Sequence, residues 1–180
     1  MKKDLLALAA VVLILVFVFS GTKIQSVDEY YLTHIDDIRE DSETVFLTIR
    51  CDTVFDRWDD LDPALKEEKY IPADGMILSR TEYVLRAGDT VYDILDRAVR
   101  YNKIQMECIY SANYASVYVQ GIHHLYEFDC GELSGWMYMV NGVFPNYGCS
   151  KYNLSDGDEI VWCYTCDLGR DVGCEWQVGS

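Results

Sequence analysis

From Thr44 to Cys51 apolar and polar positions alternate. Val45, Leu47, Ile49 and Cys51 fall on one side of an extended segment, and Thr44, Phe46, Thr48 and Arg50 on the other. A period of two over this length predicts a half-buried strand. After a longer connection, Asp62-Pro63 predicts a short helical turn, with Asp at the N-cap and Pro at the first helical position. Extended pieces follow at Met76 to Leu78 and at Thr81 to Leu85. The period then changes. Val91, Ile94, Leu95, Ala98 and Val99 recur at helical spacing and form one apolar face over three turns. Thr90 and Asp93 supply a capping box at its start, and Lys103 suits the negative end of the dipole. Gln105 to Tyr110 and Ser116 to Ile122 predict two further strands, separated by the polar turn Ser111-Ala112-Asn113.

The segment from Cys130 to Gly169 carries the most specific signals. Asn141-Gly142 lies between the apolar runs Trp136 to Val140 and Val143-Phe144, which predicts a hairpin with a type I′ turn. Pro145 keeps the return strand short or at an edge. A second turn at Ser155-Asp156-Gly157-Asp158 precedes a β-branched and aromatic run from Glu159 to Cys166. Ile160, Trp162 and Tyr164 on one face, with Val161 and Cys163 on the other, suit a strand buried on both sides. Strand, strand, helix, strands is the order of an α+β fold. It predicts a β-grasp-like mixed sheet with one main covering helix, the first and last strands lying parallel in its middle.

Four short motifs, Gly135-Trp136-Met137-Tyr138, Asn141-Gly142, Asp156-Gly157-Asp158 and the helix start Gly88-Asp89-Thr90, carry a resemblance. Over roughly residues 44–173 the chain resembles the transcobalamin-like C-terminal domain family, bacterial β-grasp domains similar to the C-terminal domain of animal cobalamin carriers. In those carriers the equivalent hairpin and loop face a corrinoid. By position, the resemblance implies ligand-binding roles for Gly135, Trp136, Met137 and Tyr138 on the hairpin strand. It implies the same for Asn146, Tyr147, Gly148 and Cys149 in the following loop. The carriers complete their site with a large helical domain that is not read in this sequence, so the resemblance implies a half-site.

Composition narrows the function classes. The chain has 180 residues, half of them hydrophobic, enough for one domain with a real core. Its net charge of −15 argues against nucleic acid or an anionic membrane surface as a partner, since both repel it. Met1-Lys2-Lys3-Asp4 precedes an unbroken apolar run from Leu5 to Phe19. A basic start and an apolar run shorter than the ~20 residues of a comfortable membrane span read as an export signal. Residues 1–20 are therefore a cleaved signal peptide or an N-terminal membrane anchor, 21–43 an acidic spacer and 44–180 the β-grasp domain. Both readings place the domain outside the cytoplasm, secreted or tethered, with membrane contact only through residues 5–19 if they are retained.

Seven cysteines are present, and outside the cytoplasm disulfides are permitted. Parallel first and last strands would bring Cys51 to Cys166, while Cys130 and Cys149 flank the hairpin and could staple its base. Cys163-Tyr164-Thr165-Cys166 has CxxC spacing. It lies in a predicted strand rather than at a helix N-terminus and has no companion ligand pair, so it reads as structural. His123-His124 point apart on an extended corner, and no nucleophile, phosphate-loop or calcium-loop motif occurs. No metal, cofactor or enzymatic activity is expected. What remains is a surface: Trp136, Tyr138, Tyr147 and Tyr152 crowd the hairpin and its loop, with Met137 and Met139 on the alternate face. Aromatics beside methionine suit an adaptable binding patch. The expected function is an exported, non-enzymatic binding module for a small molecule, a corrinoid among the candidates, or for a partner. The alternative is a structural module that packs against another envelope protein.

Overall fold

The structure is a computed structural model that describes residues 36–113 and 115–174. The apolar run 5–19, the spacer as far as residue 35 and the end of the tail lie outside the described residues. Two sheets and one α-helix make up the described part. β1 (Thr44–Arg50) buries Val45, Leu47 and Ile49 and leaves the alternate positions half-covered. β2 (Met76–Val84) runs antiparallel to it. The two extended pieces read from the sequence are one strand, whose register shifts opposite Leu47 to Arg50 absorb the interruption.

α1 (Val91–Asn102) begins with the predicted capping box. The Asp93 amide donates to Thr90 Oγ1 at 3.4 Å, and the Thr90 amide donates to Asp93 Oδ2 at 2.8 Å. Val91, Ile94, Leu95, Ala98 and Val99 are all buried. Burial of each large side chain contributes roughly 1.5–3 kcal/mol, which fixes the face the helix presents. Lys103, at φ 56°, ends it in the left-handed conformation.

A second sheet follows, β3 (Met106–Ser111), β4 (Ser116–Ile122) and the two-residue β5 (Leu125–Tyr126), in sequential antiparallel order. β6 (Gly135–Val140) and β7 (Glu159–Thr165) then complete the first sheet, whose order is β2-β1-β7-β6. β1 and β7 are parallel and central, as the β-grasp reading requires. The turn before β7 sets their register. Asp156 Oδ1 accepts from the Thr44 amide at 2.7 Å, and the Gly157 amide donates to Thr44 O at 2.7 Å. Side chains from β1, α1, β4 and β7 meet in one core.

The Asn141-Gly142 turn forms with φ of 52° and 77°, and Val140 and Val143 exchange hydrogen bonds of 2.9 and 3.0 Å across it. The hairpin goes no further. Val143 makes a single bridge, and β6 pairs along its whole length with β7, Gly135 opposite Thr165 and Val140 opposite Ile160. β7 offers a full ladder where Val143-Phe144, followed by Pro145, offers two residues. Phe144 instead turns inward against Cys163 and Cys174.

Candidate ligand-binding site

Antiparallel pairing of β6 and β7 sets Trp136 opposite Tyr164 and Tyr138 opposite Trp162. Trp136 is only 7% exposed; its indole donates to Leu125 O at 2.8 Å and its ring meets Tyr164 edge-on at 5.3 Å. The Tyr164 hydroxyl in turn donates to Tyr126 O at 2.6 Å, so this end of the strand pair is fastened to the second sheet. Tyr138 lies 5.5 Å from Trp162 and meets Tyr152 edge-on at 6.4 Å. Tyr147 stacks on Tyr152 at 5.6 Å with 14° between the rings, and it is 56% exposed. Four rings thus run from the core to the surface.

The loop after the turn is held by short-range chemistry. The Tyr138 hydroxyl donates to Tyr147 O at 2.7 Å. Gly148 lies so close to β4 that a Cβ there would fall 2.0 Å from Ser116 Oγ, so only glycine lets the loop approach. Ser116 and Ser150 share a hydroxyl–hydroxyl hydrogen bond of 2.9 Å, the Val117 amide donates to Ser150 Oγ at 3.0 Å, and the Cys149 thiol donates to Val117 O at 3.4 Å. The loop therefore docks on β4 and roofs the gap between the two sheets.

Beneath it is a cavity of about 340 Å³. Trp136, Met137, Tyr138, Asn146, Tyr147, Gly148 and Cys149 all border it, seven of the eight positions singled out in the sequence. Met137 does so although its side chain packs on the opposite face, against Phe144, Cys163 and Cys174. Gly135, opposite Thr165 at the far end of β6, is not among the lining residues. The other wall is Ser111 and the β4 residues Ser116 to Val119, with Trp162 at the back. Sequence reading missed this wall because β4 belongs to a different sheet and its own pattern marks only a strand. Trp162 was accessible to it, as the residue facing Tyr138 once β6 and β7 are paired.

No lining residue carries a charge. Burial pushes the Cys149 thiol up to about 12 and raises the Tyr138 hydroxyl well above its usual value. Neither is an acid or base at neutral pH. Trp162 Nε1 is buried without a hydrogen-bond partner in the protein, alone in this among the side-chain nitrogens and oxygens of the described residues. The site offers flat apolar surface and two serine hydroxyls.

The cysteines are thiols and meet different neighbours from those expected. Arg50 pairs with Cys163 in the parallel ladder, so Cys51 stands level with Tyr164 rather than with Cys166. Cys130 and Cys149 were to staple a hairpin base, but that hairpin stops at its turn. The Cys130 thiol donates to Arg57 O at 3.6 Å, whereas Cys149 turns to β4. In the CxxC segment, Cys163 faces the small outer cluster and Cys166 the main core. Burial pushes the Cys163 thiol up to about 12. Among the described residues no group of three or more His, Cys, Asp or Glu could hold a metal ion, and no helix is long and apolar enough to cross a membrane.

A protein from Ruminococcus gnavus ATCC 29149, named as a candidate metal-binding protein, is similar at 13% identity and a TM-score of 0.40, over 68% of this chain and 96% of that one. Haptocorrin in complex with Cbi is similar at 12% identity and a TM-score of 0.46, over 74% of this chain and 27% of haptocorrin. This chain thus spans about a quarter of haptocorrin's length. No curated protein matches it in sequence. Residues 88–166, from the start of α1 to the end of β7, match the model of a family described as a domain of unknown function, DUF4430.

Proposed function

We propose that this domain is a non-enzymatic binding module that takes a small, largely apolar, ring-bearing molecule into the cavity between β4 and β6. The observation that supports it is convergence: residues from one strand and one loop, singled out by their aromatic content and by position, border a single cavity of about 340 Å³. That volume lies at the lower end of the ~300–1,000 Å³ typical of ligand sites. The neutral lining favours an apolar ring face, and the Trp162 indole N–H favours an acceptor on the ligand. Tyr110, paired with Val117 of the cavity wall and so on the same face of the sheet, is exposed and offers an apolar skirt beside that wall. A corrinoid, the candidate raised by the sequence resemblance, would seat part of its periphery in the cavity and rest the remainder on this skirt. The module works outside the cytoplasm if residues 1–20 act as the export signal they resemble.

Titration of the protein with cobalamin and with its precursors, followed by absorbance and calorimetry, tests the reading. Saturable one-to-one binding that weakens at least tenfold in Tyr147→Ala supports it. Binding that Tyr147→Ala leaves unchanged places the ligand elsewhere. No binding of any corrinoid at millimolar concentration, combined with capture of an envelope protein that Tyr110→Ala abolishes, favours an assembly module.

A further inference from the structure

Cys130 and Cys166 are 36 positions apart in the chain, yet their surroundings are shared. Both are buried in the main core, at 2% and 7% exposure. Both abut the 3-10 helix Asp52–Arg57. The Cys130 thiol donates to Arg57 O, and Thr53, which neighbours the Cys166 thiol, donates its hydroxyl to Tyr164 O at 2.5 Å. Ser134 links the two from the other side: its hydroxyl oxygen accepts from the Cys130 amide at 3.0 Å and shares a 3.0 Å hydrogen bond with the Tyr164 hydroxyl. The Leu168 amide donates to Leu133 O at 2.9 Å, so the loop before β6 and the exit from β7 are fastened on both sides of the thiols. Within this frame each thiol is the group that acts most strongly on the other.

We propose that Cys130 and Cys166 are the partners of an intramolecular disulfide, formed when the chain meets a disulfide oxidant of the glutathione type, and that it pins the 127–134 loop to the end of β7. The Cys130 thiolate attacks one sulfur of the oxidant, giving a mixed disulfide and expelling one thiolate. Cys166 then loses its proton and attacks the Cys130 sulfur, and the second thiolate leaves. Two thiols are oxidised, one oxidant disulfide is reduced to two thiols, and both protons pass to the leaving sulfurs. The proximity of the two thiols sets the order of attack, because their mutual influence lowers the Cys130 pKa and raises that of Cys166. Both sulfurs are buried, so the first step requires the loop to open or the chain to be still folding.

The test uses the full chain, reduced and then exposed to oxidised glutathione. Remaining thiols are alkylated under denaturing conditions, and the protein is digested with chymotrypsin and trypsin. Cleavage after Phe128, Trp136, Tyr147, Lys151, Tyr164 and Arg170 separates Cys130, Cys149, Cys163, Cys166 and Cys174 onto different peptides. The expected result is a crosslinked peptide joining Cys130 to Cys166, with a rise in the thermal midpoint of roughly 10 °C that Cys166→Ala does not show. Alkylation of both residues after oxidation overturns the proposal. So does a crosslink of Cys51 with Cys166 or of Cys130 with Cys149.

Discussion

Trp136 and Tyr147 border the same cavity, and the structure gives their alanine variants opposite outcomes. Trp136 is 7% exposed, its ring meets Tyr164, and its indole satisfies Leu125 O. Truncating a buried tryptophan costs about 3–5 kcal/mol, and leaving the Leu125 carbonyl unpaired adds about 1 kcal/mol. Against a total stability of ~5–15 kcal/mol, W136A should lose roughly half of its folding free energy. Tyr147 is 56% exposed and its one ring partner is Tyr152. Removing that stack costs about 0.5–1.5 kcal/mol, while its backbone carbonyl still accepts from Tyr138. Urea unfolding should therefore shift the W136A midpoint strongly and the Y147A midpoint slightly. Ligand titration should weaken at least tenfold for Y147A, the loss expected of an aromatic anchor. A W136A protein within 1 kcal/mol of the parent would refute the placement of Trp136 in the core. A Y147A protein destabilised by more than about 2 kcal/mol would refute its assignment to the ligand.

Three further outcomes follow from named contacts. Burial holds Cys51, Cys149 and Cys163 at about 12, against about 9 for a free thiol. Stability should be level below pH 9 and fall as the pH rises toward 12, because the unfolded chain ionises first; each thiol contributes at most about 4 kcal/mol, and a urea midpoint unchanged at pH 10.5 would contradict the burial. Thr90→Ala removes the capping box at the start of α1 and should cost about 1 kcal/mol, read as a lower thermal midpoint with ligand affinity retained. Gly148→Ala drives a methyl group into Ser116 and should cost about 1–3 kcal/mol while displacing the loop, so stability and ligand affinity fall together; an Ala variant with parent affinity would show that the loop does not roof the site.

Local rules carried most of the fold. The capping box at Thr90, the five-residue face of α1, the alternation in β1 and the left-handed pair Asn141-Gly142 each concern residues within a few positions of one another, and each is observed. The parallel pairing of β1 with β7 joins residues more than a hundred positions apart. It was legible only because β7 is apolar on both faces, which an edge strand is not. Where reading failed, a local signal pointed at a partner and a distant one was better. Asn141-Gly142 specifies its turn but not a ladder, and β7 outbids Val143-Phe144 for β6 because it can satisfy six residues. The misjudged cysteines follow from the same cause. Cys130 was assigned to a hairpin base that does not form, and Cys51 to a register two residues out.

The site shows the limit in a sharper form. Its aromatic half is visible in the chain because Trp136, Tyr138, Tyr147 and Tyr152 exceed what one small sheet face needs. Its other half is ordinary: Ser116 and Val117 carry no signal beyond a strand. What makes them part of the cavity wall is Gly148, which has no side chain and so lets Ser150 reach the Val117 amide. A glycine at φ −68° is under no backbone constraint, and from sequence it looks dispensable. Its role appears only when the opposing strand is in place. The cavity is therefore a property of the contact between two sheets. Substitutions on β4 that keep its strand pattern but enlarge position 116 should abolish the site as effectively as the loss of any of its rings.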